Sequence, residues 1–268
     1  MRKYLLPVIT IPLWLVANTG LAADAISEDT SITERMAPEW TVSIDPLYSW
    51  LFGLKGDLRV FGGPGVAVDV TTGDILDNLS EFLDAIDGLY LGSGEFRNHQ
   101  FGLQWDVVFI SQGASAAFGN RIQGAADVGF RMSMTTLAAN YRVHETTNSH
   151  VDLIGGLRIT DVQADISAVV GPIVATRSGG DTWVDPVIGV KGRYDLNENW
   201  YLKGSALYGG FGVSSDSLYD IAGFVGYEWN NGIELYTGWR IADTDYENGP
   251  FKWDVRLSGP MTGLTFKF

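Results

Sequence analysis

From Trp40 onward, hydrophobic and polar residues alternate with a period of two along most of the chain. In residues 40–52 nearly every second residue is apolar or aromatic, and most residues between them are polar. The same alternation returns in residues 101–109, 151–157 and 233–241. Because successive side chains of a strand point to opposite faces, this pattern predicts β-strands with one apolar and one polar face.

Ten segments fit this description, and several reach the roughly 9–11 residues that a tilted membrane-spanning strand needs. The links after the even-numbered strands are short, whereas links after the odd-numbered strands are mostly longer, as in 61–86, 113–124, 164–181 and 244–251. Alternating short and long connections are typical of the periplasmic turns and outer loops of a bacterial barrel. We expect strands at 40–60, 87–97, 101–112, 125–143, 149–163, 182–195, 199–212, 219–229, 232–243 and 252–268.

The predicted fold is therefore all-β, a closed antiparallel transmembrane β-barrel of about ten strands. Gly53 and Gly56 interrupt the first segment and could instead form a hairpin, which leaves eight or twelve strands as alternatives. In segment 125–143 the apolar positions change phase near Thr135 and Thr136. A β-bulge at that point would account for the change of phase.

One segment, near residues 74–86, has helical rather than strand periodicity. Thr71 or Thr72 can cap its start, and Gly88 suits its end. The pattern fits a plug or lid helix at the barrel mouth, and it also fits a helix that buries its stripe on a loop cluster or the barrel rim. The apolar stripe consists of Ile75, Leu76, Leu79, Phe82, Leu83 and Ile86.

The beginning of the chain is typical of a secretory signal peptide. Arg2 and Lys3 precede an apolar stretch of about 13 residues and a run of small residues, so we expect a signal peptide at 1–22. Residues 23–39 are polar and acidic, and we expect a flexible periplasmic segment there. Residues 40–268 would then form the barrel.

Composition limits the classes of function. Without Arg2 and Lys3 the chain has 16 basic and 32 acidic residues, a formal charge of −16, so nucleic acid is not an expected partner. The sequence contains no cysteine, which excludes disulfides and thiolate metal sites. After the leader, no run of 18 apolar residues predicts a membrane-spanning helix.

The last residues alternate Leu264, Phe266 and Phe268 with polar positions. Gly263, Phe266 and Phe268 resemble the C-terminal assembly signal of bacterial outer-membrane barrels, although Met261 stands where those proteins usually have a polar residue. The chain as a whole is similar to small outer-membrane β-barrels of Gram-negative bacteria, broadly of the OmpA-like and OmpW-like kind. The resemblance implies a location in the outer membrane, contact with its lipid and lipopolysaccharide, and insertion by the barrel assembly machinery.

If the apolar faces meet lipid, the polar faces line the interior. A barrel of about ten strands is little wider than its own side chains. Three interpretations follow: an ion-paired interior that supports the barrel, a narrow polar path for ions or small solutes, or a specific binding site. The predicted interior residues are Glu95, Arg97, Gln104, Asp106, Arg131, Asp152, Arg158, Asp185, Lys191, Arg193, Lys203, Glu228, Glu234, Arg240, Asp254 and Arg256.

No residue pattern predicts catalysis or a cofactor. His99, His144 and His150 fall at the predicted short turns, whereas outer-membrane proteases and lipid A deacylases place their histidines near the outer rim. His144 and His150 could bind a metal, although solvated turn histidines are far commoner. The aromatic residues near strand ends suit an interfacial girdle: Trp40, Tyr48, Trp50, Trp183, Trp200, Tyr227, Trp229, Trp239 and Trp253.

The sequence therefore predicts a structural or narrow porin-like barrel with no catalytic, metal or cofactor-binding residues. The alternatives are a barrel enzyme that acts on lipopolysaccharide and a surface-loop binding protein or adhesin. The oligomeric state is not predicted.

Overall fold

A computed structural model describes residues 40–118, 124–170 and 173–268. The predicted signal peptide and the segment 23–39 lie outside the described residues and stay predictions. The two helices are α1 (Thr72–Asp77) and α2 (Leu79–Asp84). The strands are β1 (Trp40–Asp45), β2 (Tyr48–Trp50), β3 (Gly53–Arg59), β4 (Val66–Val70), β5 (Ile86–Asn98), β6 (Phe101–Phe118), β7 (Gly124–Glu145), β8 (Ser149–Val170), β9 (Ile173–Asp195), β10 (Trp200–Gly209), β11 (Ser217–Glu228), β12 (Ile233–Asn248) and β13 (Phe251–Lys267).

Ten strands, β1 and β5 to β13, form a closed antiparallel ring. The ring closes between β1 and β13, where Ser43 pairs with Lys267 and Ile44 with Phe266. Beyond these pairs, the Phe268 N–H donates to the Val42 carbonyl at 2.8 Å, and the Val42 N–H donates back at 3.1 Å. The predicted ten-stranded barrel is confirmed.

The first predicted strand, 40–60, is in fact three strands. It breaks after Asp45 and again after Trp50. Strands β2 and β3 also pair with β13, but they are not counted among the ten strands of the ring. Gly53 and Gly56 lie in β3, which forms a hairpin with the unpredicted β4. The glycines lie inside a strand of this hairpin and not at its turn, so the hairpin alternative was wrong for them, and the ring keeps ten strands.

The break after Asp45 also reverses the side of the sheet to which residues point. Pro46 has no N–H to donate, and the pairing of β1 stops before it. As a result Asp45, Tyr48 and Trp50 are all buried in the interior. The even-numbered residues of this segment therefore do not share one face, contrary to the prediction.

Four short connections lie at one end of the barrel, here called the turn end: residues 99–100, 146–148, 196–199 and 229–232. Both termini of the described ring, Trp40 and Phe268, lie there too. The opposite end is called the loop end. Much of the predicted loops 113–124, 164–181 and 244–251 is strand, because the hairpins continue their pairing toward the loop end.

Strand β7 contains no bulge at Thr135 and Thr136, because its pairing with both neighbours is continuous there. The register shifts instead between Arg142 and His144. The two apolar sets of this strand lie on opposite faces: Met132 and Met134 are buried in the interior, whereas Leu137 is exposed on the outside. The predicted bulge was wrong. The change of phase instead marks the place where the inward side chains change from polar to apolar.

The predicted helix near 74–86 is two short helices, interrupted at Asn78. Thr71 caps α1: its hydroxyl accepts from the Asp74 N–H at 3.2 Å, and its own N–H donates to the Asp74 carboxylate at 2.8 Å. Gly88 is not the helix stop, because α2 ends at Asp84 and Gly88 already belongs to β5. In the described part of the chain, neither helix is long and apolar enough to cross a membrane.

The apolar stripe of these helices is split between two environments. Ile75 is buried and Phe82 packs on the interior cluster, whereas Leu76, Leu79 and Leu83 are exposed. Helix α1 contacts β3 and α2 contacts β5. This position in the wall agrees with the rim interpretation rather than with a plug across the interior.

Apolar side chains also cover the outside of the ring, where Leu103, Leu153 and Ile188 are more than 45% exposed. Of the predicted girdle, Trp40, Trp200, Trp229 and Trp239 are exposed on this outer surface, and Tyr227 is partly exposed. The other four members are buried inside the barrel, so the girdle prediction was wrong for them: Tyr48, Trp50, Trp183 and Trp253.

Candidate functional site: the barrel interior

The interior contains a cavity of about 670 Å³ at the turn end. Its rim includes Thr41, Asp195 and Phe268, which lie at strand ends, and its far wall includes Leu207 and Met261. Twelve of the predicted interior residues line it: Glu95, Arg97, Gln104, Asp106, Asp152, Arg158, Lys191, Arg193, Lys203, Glu228, Glu234 and Arg240.

Four predicted interior residues do not line the cavity. Asp185 is fully buried and instead accepts bonds from the Ser215 N–H at 2.8 Å and hydroxyl at 2.6 Å. Arg131 is exposed on the outside, because the unbulged β7 turns Met132 inward and its neighbour outward. Asp254 and Arg256 alternate with the buried Val255 and point outward in the same way.

The two outward residues of β13 pair on the outer surface. Arg256 contacts Asp243 at 2.8 Å, and Asp254 contacts Lys252 at 3.2 Å. Alternation alone could not assign them, because β13 has apolar residues on its inner face in this region. The polar face of β13 is therefore the outer one, which is the reverse of the prediction.

One ionic cluster in the cavity joins β5, β7, β8 and β9. Arg97 bonds to Glu95 at 2.7 Å and also to Asp152, whose carboxylate is fully buried. Arg142 bonds to the other oxygen of Asp152 at 2.9 Å, and Lys191 bonds to Glu95. Each of these charges has an opposite partner, which offsets the cost of removing it from water.

A second cluster lies on the other side of the cavity and joins β9 to β11, β12 and β13. Arg193 bonds to Glu228 at 2.5 Å and also to Glu234. Lys267 bonds to Glu228 at 2.9 Å and also to Glu234. The guanidinium of Arg193 lies 3.7 Å from the ring centre of Tyr201, a stacked cation–π contact.

A third cluster crosses the interior. Arg240 of β12 reaches Asp106 of β6 at 2.7 Å and Asp220 of β11 at 2.8 Å. Arg158 of β8 reaches the same Asp220 at 2.7 Å, and its Nε donates to Thr136 at 2.9 Å. Strands β11 and β12 are neighbours, but β6 and β12 are not, and neither are β8 and β11. The Arg240–Asp106 and Arg158–Asp220 pairs therefore cross the interior of the barrel.

Above this crossing cluster, toward the loop end, the interior is apolar. Tyr48 joins the two layers: its hydroxyl donates to Asp106 at 2.8 Å and accepts from Arg240 at 3.2 Å. Arg240 also lies 4.7 Å from the ring centre of Trp50. The apolar layer comprises Tyr48, Trp50, Leu91, Val108, Ile110, Met132, Met134, Val162, Trp183, Tyr246, Phe251, Trp253, Val255 and Leu257.

Sequence reasoning missed this apolar layer. The signal that pointed to it was the phase change in β7, where Met132 and Met134 belong to the inward set. Near the loop end, Trp183 stacks on Tyr246 with ring centres 4.0 Å apart, and Phe130 stacks on Trp253 at 6.4 Å. Stacked rings of this kind fill the interior instead of facing lipid.

The histidines offer no assembled site. His99 lies in the first short turn, His144 follows the register shift of β7, and His150 lines the cavity rim. Within residues 40–118, 124–170 and 173–268, no group of three histidine or acidic side chains is placed to hold a metal ion.

No protein-family model matches the sequence, and no curated protein does. Solved structures do match. The outer-membrane protease OmpT from Escherichia coli superimposes with a TM-score of 0.54 at 14% identity, over 88% of this chain and 99% of OmpT.

This chain has the fold of an outer-membrane β-barrel. More distant matches include Ail, the attachment invasion locus protein of Yersinia pestis, with a TM-score of 0.37 at 14% identity over 86% of this chain and 99% of Ail. The translocator domain of the autotransporter NalP from Neisseria meningitidis gives 0.42 at 11% identity, over 87% of this chain and 90% of that domain.

Proposed function

We propose that this protein is an integral barrel of the bacterial outer membrane that acts as a closed structural barrel rather than an open pore, and that it is not an enzyme. The observation that carries the proposal is the double closure of the interior. Ion pairs cross it at the level of Arg240, and an apolar layer fills it above them. An ion would have to cross both layers.

The apolar layer is the stronger barrier. Moving an unpaired ion through packed aromatic and aliphatic side chains costs many kcal/mol. Porins avoid this cost, because a barrel of about 16–18 strands is wide enough to keep a water-filled channel. Trp50, Met132 and Val108 are each less than 5% exposed, so this layer lacks space for water to accompany an ion.

The absence of catalysis is part of the proposal. His99, His144 and His150 lie at the turn end, and in the described structure no nucleophile is hydrogen-bonded to any of them. The outer surface supports the location, because apolar side chains cover the ring. We expect lipid and lipopolysaccharide as partners there.

The experiment is single-channel recording in planar lipid bilayers. We expect no steady current from the native protein, and current from the variant that carries Trp50→Ala and Met132→Ala, which removes two large side chains from the apolar layer. Trp239→Ala on the outer surface is the matched control and should stay silent. Heat-modifiable gel mobility in detergent checks that each variant is folded.

Steady ohmic current from the native protein would contradict the closed barrel and favour the narrow porin-like channel. Recovery of the native protein from the soluble periplasmic fraction would refute the membrane location. Hydrolysis of lipopolysaccharide by the purified barrel would refute the absence of catalysis.

A further inference from the structure

Among the described residues, two charged side chains of the cavity lack an ion pair. Eight acidic and eight basic side chains line it, and every other one of them pairs with an opposite charge. Within the described residues, Asp45 is the one lining carboxylate and Lys203 the one lining amine or guanidinium without such a partner. Both lie against the same side chain, Tyr236.

Asp45 is buried and only half used. Its Oδ2 accepts from the Ser93 hydroxyl at 3.1 Å and from the Tyr236 hydroxyl at 3.0 Å. Its Oδ1 is buried and has no hydrogen-bond partner. The Thr265 hydroxyl, on the neighbouring strand β13, is likewise buried without a partner. A buried carboxylate oxygen without a donor is destabilising, because nothing replaces the hydrogen bonds that it would make with water.

Lys203 lies in an aromatic cage. Its Nζ is 3.4 Å from the ring centre of Tyr236, 5.7 Å from that of Phe224 and 5.9 Å from that of Tyr201. Aromatic faces attract an ammonium group but accept only weakly from its N–H donors. The ammonium group of Lys203 therefore has N–H donors in the cavity that the aromatic rings do not satisfy.

The ring of Tyr236 keeps these two charges apart, with the ammonium on its face and the carboxylate at its hydroxyl. A molecule that carries both an ammonium and a carboxylate can satisfy both charges at once, with its ammonium at the Asp45 carboxylate and its carboxylate at Lys203 Nζ. A cavity of about 670 Å³ that reaches the barrel rim is large enough for such a molecule.

We propose that this cavity is a binding site for a small zwitterion of the α-amino-acid class, held between Asp45 and Lys203 and reached from the turn end. The other lining charges are already paired and set the walls of the site. This site is independent of whether the barrel conducts, because it lies on the turn-end side of the crossing ion pairs.

The experiment measures binding of L-alanine to the full-length folded protein in detergent micelles, by titration calorimetry and saturation-transfer NMR. Ethylamine and propionate serve as the two halves of the probe. We expect L-alanine to bind at least tenfold more tightly than either half. We expect Asp45→Asn to weaken ethylamine and L-alanine, and Lys203→Gln to weaken propionate and L-alanine, by about tenfold each.

Asp69→Asn and Lys55→Gln are the matched controls, because this exposed pair lies on the β3–β4 hairpin outside the cavity. They should leave binding unchanged. The proposal is overturned if L-alanine gives no signal with the folded protein at millimolar concentration, which would mean that water alone fills the site. It is also overturned if both cavity variants bind L-alanine as tightly as the native protein does.

Discussion

Replacing Asp220 with asparagine should destabilise the barrel more than any exposed charge change does. Asp220 is 3% exposed and accepts bonds from two arginines, from Arg158 at 2.7 Å and from Arg240 at 2.8 and 3.1 Å. The amide that replaces the carboxylate has nearly the same shape. It has no charge, however, and its NH2 group takes the place of one carboxylate oxygen. That NH2 group is a donor and faces a guanidinium, which is also a donor.

The magnitude follows from the burial of the partners. Arg158 and Arg240 are 1% and 6% exposed, so neither can recover its hydration when the carboxylate charge is lost. Arg240 keeps Asp106, whereas Arg158 loses its one ion-pair partner in the described structure. Removing one partner of a buried pair costs about 3–5 kcal/mol, and we expect a loss of free energy of unfolding in this range.

The assay is urea unfolding of the protein in lipid vesicles, followed by tryptophan fluorescence. With a urea dependence of about 2 kcal/mol per molar, the midpoint should fall by on the order of 2 M. The matched control is Asp69→Asn, whose partner Lys55 is exposed, and it should cost less than about 1 kcal/mol. Equal midpoints for the two variants would refute the reasoning, since they would show that water reaches the crossing ion pairs.

Two further predictions concern local packing and the cap of α1. A methyl group added at Gly259 would lie 1.9 Å from the Leu51 carbonyl oxygen, whereas one added at Gly155 meets nothing within 4 Å. We therefore expect Gly259→Ala to cost at least about 1–3 kcal/mol in the same urea assay and Gly155→Ala to be close to neutral, and equal costs would contradict this packing. Bonds from the Thr71 hydroxyl and N–H lower the pKa of Asp74 below the usual carboxyl value, so the cap is complete above about pH 4 and is lost as the pH falls through that lowered pKa. Backbone amide shifts of α1, titrated by NMR from pH 7 to pH 2, should show this transition at a lower pH in the native protein than in the Thr71→Val variant, which keeps the N–H bond to Asp74 and loses the hydroxyl bond; equal midpoints in the two proteins would contradict the assignment.

The lower half of the interior was predictable because its strands keep a single phase. In β8, Asp152 and Arg158 alternate with Leu153 and Leu157, and the structure places the charged pair inside and the leucines outside. The same holds for most predicted interior residues of β5, β6, β9 and β12. Where a strand holds one phase, the contrast between charged and apolar faces suffices to choose the inner face.

The errors fall where both faces of a strand are apolar or where the phase breaks. Trp50 and Trp253 look like girdle residues in the sequence, because an aromatic residue at a strand end suits both an interface and a packed interior. Arg131 and Arg256 look like interior residues in the sequence, because a charged residue in a strand suits both the polar interior and the outer surface. Only the pairing of β7 and β13 with their neighbours, and the break at Pro46, decide which way these side chains point.

The sequence by itself determined the class of fold, a ring of about ten strands and the positions of the short connections at the turn end. It did so because alternation, turn residues and strand length are local properties of the chain. The tertiary structure alone decided that an apolar layer closes the barrel and that Asp45 and Lys203 are left without partners among the charges of the cavity. Such facts depend on which strands face one another across the interior, and no local pattern records that.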